Sequence, residues 1–170
     1  MPQDAQGIFT AGPLSFVVKH ELWDENIQDH ADQGVAICVT ADVTGRRTIL
    51  LRFNCFDIEK SYIYGPENTE LAVAGPEMLG GSALTNLYRM DPIACGNPIG
   101  WTIRTLDAKL PKMLERAGYP GVAADLDEGK LREVLPAMKK QALAMWEEGE
   151  RLTGHPGLPL EATPNLAAAE

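Results

Sequence analysis

Between Val35 and Cys55 the chain alternates apolar and other side chains with a period of two. Val35, Ile37, Val39, Ala41 and Val43 alternate with Ala36, Cys38, Thr40 and Asp42, and Thr44-Gly45-Arg46 supplies a turn. On the return, Ile49, Leu51, Phe53 and Cys55 fall on one face, and Thr48, Leu50, Arg52 and Asn54 on the other. Such a pattern predicts a half-buried antiparallel hairpin. Shorter strands are predicted at Leu14–Val18, at Ser61–Tyr64 before Gly65-Pro66, and at Glu70–Ala74 before Gly75-Pro76. Residues 1 to about 15 read as an arm tethered by Ile8, Phe9 and Leu14, and Glu21–Gln33 as a helical turn or irregular excursion. Ala83–Met90 fits strand or helix.

After residue 90 the period changes. Ile103, Leu106, Leu110, Met113 and Leu114 recur at helical spacing, as do Leu131, Val134, Leu135, Met138, Ala142, Met145 and Trp146. Pro111 and Pro136 interrupt these stripes and predict kinks or divided helices. Lys139, Lys140, Glu147, Glu148 and Glu150 are assigned to the exposed face of the second. Strands followed by helices predict an α+β fold, mainly β, in one domain over residues 1–152. Residues 153–170 form a Pro-, Ala- and Gly-rich tail, a composition that rarely folds alone and becomes ordered when something holds it down, a partner surface or a crystal contact.

The bulk composition narrows the function. Fifteen basic against 24 acidic residues give a net charge of −9, which repels nucleic acid and anionic membranes. No run of about eighteen apolar residues predicts a membrane span, and no basic leader with an apolar block marks the N-terminus. Cys38, Cys55 and Cys95 form neither an even framework nor a C-x-x-C pair, so reduced thiols in the cytoplasm are expected.

Metal ligation requires several converging donors, yet His20, His30 and His155 are not spaced one, three or four residues from one another. The chain has no Gly-x-Ser-x-Gly elbow, and Gly75–Gly81 lacks the Gly-Lys-Ser/Thr ending of a phosphate loop. No metal or nucleophile site of its own is expected. Two stretches stand apart. In Phe53–Asn68, the core face of the hairpin continues to Asp57, placing a carboxylate where an apolar side chain is expected; it must be paired, or sit at the rim of a cavity. With Ser61, Tyr62 and Tyr64 it makes a candidate polar and aromatic cluster, the bland alternative being a strand end in water. In Met90–Leu106, two prolines and two glycines fix a loop ahead of Trp101 and Arg104, residue types favoured at interfaces; the bland alternative is a structural connection with Trp101 in the core.

Tyr62–Asn68, Met90-Asp91-Pro92 with Asn97–Leu106, and Leu110–Tyr119 resemble the small (alpha) subunit of two-component hydroquinone 1,2-dioxygenases, a resemblance covering about residues 50 to 135. It implies a degenerate cupin-like β-barrel or sandwich that has lost its metal ligands. It implies a heterotetramer of two small and two large subunits, with Fe(II) bound by the large partner. The activity implied is cleavage of hydroquinone with O2 to 4-hydroxymuconic semialdehyde. Asp57 and Ser61 would then orient the remote phenolic hydroxyl, with Tyr62 and Tyr64 as walls, while Asn54, Trp101 and Arg104 would meet the partner. Two alternatives stay open: a non-catalytic binding or scaffolding subunit of another complex, and a stand-alone cupin-like enzyme.

Overall fold

The computed structural model describes residues 6–23, 32–68, 86–91 and 94–153. Among these residues, six strands lie in one antiparallel sheet in sequence order: β1 (Gln6–Ala11), β2 (Leu14–Trp23), β3 (Asp32–Val43), β4 (Arg46–Phe56), β5 (Lys60–Tyr64) and β6 (Leu87–Arg89). Helices α1 (Pro98–Arg116), α2 (Pro120–Ala124) and α3 (Glu128–Thr153) follow, which makes the fold α+β. The sheet is open. Strands β1 and β6 are its two edges, so these residues form no closed barrel of the kind the resemblance implies. The physical reason lies in how the apolar face is covered. Phe16, Val18, Val35, Ile37, Val39 and Phe53 pack against Leu106, Leu110, Leu114, Leu135 and Met138, so helices complete the core that a second sheet would otherwise supply.

The predicted hairpin is β3–β4, and its register explains one departure from simple alternation. Val39 pairs with Leu51 and Thr40 with Ile49, leaving Leu50 as an extra residue. This β-bulge shifts the alternation by one position. Leu50 and Leu51 therefore both enter the core. Thr48, paired with Ala41, is also buried, and Ile49 turns to the opposite side from its predicted face.

Other boundaries move for equally local reasons. Residues 6–11 are strand, because Gln6 through Ala11 pair with Lys19 through Leu14 around a turn at Gly12, whose φ is +62°. The ends of the supposed excursion are strand too, since Trp23 pairs with Asp32 and Leu22 with Gln33. Within the ambiguous 83–90 segment, Leu87–Arg89 is β6, and residues 83–85 lie outside the described residues. Glu70–Ala74, Gly80-Gly81, His30, His155 and the tail beyond Thr153 lie outside the described residues.

Each proline is accommodated within one continuous helix. The missing N–H groups deprive the carbonyls of Asp107 and Arg132 of their usual i+4 donors. Both residues border a shallow groove of about 470 Å3 between α1 and α3, where water can reach them. Asn97 caps α1 by accepting from the N–H groups of Ile99 and Gly100 at 2.9 and 3.1 Å, and Pro98 opens the helix. No described helix is long and apolar enough to cross a membrane.

Candidate functional site

Alternation along β5 sends Tyr62 and Tyr64 to the helix side of the sheet and Ser61 to the other. Tyr62 pairs with Phe53 on β4 and with Tyr88 on β6, whereas Ser61 pairs with Asn54. The Tyr62 ring lies 6.1 Å from Phe53 and 5.8 Å from both Tyr64 and Tyr88, centroid to centroid. Helix α1 closes this group from above. Trp101, near its start, lies 5.2 Å from Tyr62, and Arg116, at its end, stands 4.7 and 4.9 Å over the rings of Tyr64 and Tyr88. The Arg116 guanidinium also donates to the Tyr88 hydroxyl at 2.6 Å. The result is an aromatic wall with a fixed cation, and the Tyr88 end of it is solvent-exposed. Burial raises the Tyr62 phenol above its ordinary value, and the neighbouring Tyr64 adds to the effect. Such a wall offers a ring partner stacking surface and quadrupole contacts.

Asp57 belongs to a different group. Its side chain is buried on the helix side and is fully engaged: Oδ1 accepts from Trp146 Nε1 of α3 at 2.7 Å, and Oδ2 from Gln33 Nε2 at 3.0 Å. Gln33 Oε1 in turn lies 2.8 Å from His20 Nε2. The Lys60 ammonium donates to the Asp57 carbonyl. Glu150 lies one turn beyond Trp146 on α3. Burial first, then the Asp57 charge and a hydrogen bond to Asp57, with Glu147 adding less, push the Glu150 carboxyl up to about 7.

On the far side of the sheet a third group is formed by Ser61. Its hydroxyl accepts from Asn54 Nδ2 at 3.0 Å, Asn54 Oδ1 accepts from Arg52 Nε at 2.7 Å, and Arg52 reaches Glu21 Oε1 at 2.6 Å. The four residues grouped by sequence are therefore divided. Tyr62 and Tyr64 come together with Trp101, Asp57 pairs with α3, and Ser61 and Asn54 lie on the opposite face. Strand alternation, which sends neighbouring residues to opposite sides, separates Ser61 from the tyrosines, whereas Asp57 shares their side of the sheet but lies in the β4–β5 turn, within reach of α3. Arg104 is held apart from the wall as well; it donates to the Cys95 carbonyl at 3.3 Å and borders the helix groove.

A family model described as "Domain of unknown function (DUF7700)" matches residues 8–142. The chain belongs to the DUF7700 family. The match runs from β1 into α3, so the aromatic wall, Asp57 and Gln33 all lie within the DUF7700 region, while Trp146 and Glu150 lie just beyond it. No curated protein and no solved structure matches the chain.

Several members of these groups were not singled out by sequence. Tyr88 and Arg116 join the wall through strand pairing and the length of α1, and Gln33 reaches Asp57 through the β3–β4 pairing. Glu150, assigned to a solvated face, is half-buried. One signal did exist: Trp146 and Glu150 are four apart and share a helix face. No group of three or more His, Cys, Asp and Glu side chains able to hold a metal occurs among the described residues. Burial pushes the Cys55 thiol up to about 12 and raises that of Cys38, so neither is an activated nucleophile.

Proposed function

We propose that this DUF7700 chain is the non-metal small subunit of an Fe(II)-dependent ring-cleaving dioxygenase acting on hydroquinone, and that its aromatic wall forms part of the phenol pocket at the interface with a larger, iron-bearing subunit. One observation carries the reading. The three stretches that resemble hydroquinone dioxygenase small subunits meet in space: Tyr62 and Tyr64 come from the first, Trp101 from the second and Arg116 from the third. A pocket for a neutral aromatic diol needs ring faces to stack on and few groups to fix its orientation. The wall provides the faces, and Arg116 holds Tyr64 and Tyr88 in place. On this reading the six-stranded layer is an opened, cupin-like sheet. Partner-bound iron would supply the oxygen chemistry, while this chain would orient the ring and exclude water. Asp57 is left with a structural share, because both of its oxygens are already engaged within the chain.

To test the reading, the tagged full chain is purified from the cells that make it, and iron and hydroquinone-dependent O2 uptake are measured on the isolated complex. A larger iron-bearing chain with O2 uptake is expected. Trp101→Ala should raise KM for hydroquinone roughly tenfold, the loss of about 1.4 kcal/mol of ring contact. A complex without iron, or one that consumes no O2 with hydroquinone, would refute the assignment and favour a scaffolding subunit.

A further inference from the structure

The two edges of the sheet are built differently. Strand β6 has three residues and ends in the exposed Arg89, a short, charged edge of the kind that discourages further pairing. Strand β1 has six residues, with no charge and no proline. Its register against β2 runs unbroken from Gln6–Lys19 to Ala11–Leu14, so no bulge twists the edge away. Ile8 is 60% exposed, the most of any large hydrophobic side chain among the described residues. Hydrogen-bond direction alternates along β1 in step with its side chains. Gly12-Pro13 makes a two-residue turn, and the pair that closes such a turn, Ala11 and Leu14, bonds inward. Phe9 and Gly7 then also bond to β2, while Gln6, Ile8 and Thr10 direct their N–H and C=O groups to the open side. No described strand receives them. Helix α3 backs β1 on the helix side, where a Cβ at Gly7 would stand 3.3 Å from Gln141 Cγ. The edge is a supported template.

We propose that β1 pairs antiparallel with β1 of a second copy of this chain, about a two-fold axis at Ile8. In that register the two Ile8 side chains lie opposite each other, and each Gln6 lies opposite the other copy's Thr10. All three outward residues of each strand then exchange hydrogen bonds with the other. An apolar pair sits at the centre and uncharged polar pairs flank it, so the strand complements itself. Registers centred on Gly7 or Phe9 leave one outward residue of each strand without a strand partner. Two chains that each carry −9 repel, and an edge free of charged side chains is where they approach at least cost. The pairing is independent of the function proposed above, because it needs neither iron nor phenol.

Sedimentation equilibrium of the full chain tests the pairing. A monomer–dimer equilibrium is expected, and Ile8→Lys should weaken the dimer roughly tenfold, because it sets two like charges directly opposite each other. An unchanged circular-dichroism spectrum would show that this exposed substitution leaves the fold intact. Cysteine cross-linking reads the register. Opposed residues of a hydrogen-bonded pair have Cα atoms about 5.5 Å apart, within disulfide range. Ile8→Cys should therefore form an intermolecular disulfide on mild oxidation, whereas Thr10→Cys alone should not; Cys38, Cys55 and Cys95 are buried and stay out of the reaction. A chain that remains monomeric at millimolar concentration would overturn the proposal. So would a dimer that persists in Ile8→Lys and does not cross-link through Ile8→Cys. Cross-linking of Ile8→Cys to a different chain, in the complex purified from the cells that make it, would assign the edge to that chain and equally overturn self-pairing. If Ile8→Lys does not fold, the Ile8→Cys cross-link decides by itself.

Discussion

At the scale of single residues, Asp57 shows how a polar side chain on a core face is made tolerable. Desolvating a carboxylate is costly unless its acceptor capacity is used, and here an indole and an amide use it. Asp57→Ala should leave Trp146 Nε1 and Gln33 Nε2 without their acceptor and destabilise the chain by about 3 kcal/mol. A shift of the urea midpoint with unchanged slope would register this. Full stability in the variant would mean that the two donors find other partners. The sequence made Asp57 legible as an anomaly, because it continues the Val35–Cys55 alternation. It could not show the partners. Gln33 lies 24 positions away and Trp146 lies 89 positions away, and only folding brings them within hydrogen-bond range.

At the scale of elements, the β3–β4 pair organises the sheet, and its two irregular points differ in kind. The bulge at Leu50 adds an apolar residue to the core by breaking the alternation. Gly34 permits close approach: a Cβ there would overlap the Cys55 carbonyl oxygen and the Phe56 Cα, both backbone atoms with little room to move. Gly34→Ala should therefore force the strands apart at this end and cost about 3 kcal/mol. Thermal unfolding of the purified variant would show it, whereas an unchanged Tm would mean that β3 relaxes without loss. Period-two alternation identified both strands, and period 3.6 identified both helical stripes, although the divisions or kinks expected at Pro111 and Pro136 give way to two continuous helices. Bulge, edge strand and glycine contact were not readable, since each depends on which residue lies opposite.

At the scale of the whole molecule, an open sheet is completed by helices, and charge is distributed over both of its faces. The far face carries the Glu21–Arg52 pair at 2.6 Å. Burial pushes the Glu21 carboxyl up, but Arg52, Trp23 and Lys19 together outweigh it and hold Glu21 below its ordinary value of 4.5. This contribution is present above 4.5 and is lost as pH falls through the lowered value. Glu21→Gln should therefore flatten the acid limb of the stability curve. Denaturant titrations between pH 3 and pH 8 would check this, and an unaltered acid limb would remove Glu21 from the account. The sequence by itself determined the α+β order, the central hairpin, the helical stripes and the aromatic segment, because these are local periodicities that burial imposes on neighbouring residues. Tertiary structure alone decided that the sheet stays open, that Asp57 and Ser61 part to opposite faces, and that Tyr62, Trp101 and Arg116 meet. Those outcomes depend on register and on helix placement, which are set by contacts between residues distant along the chain.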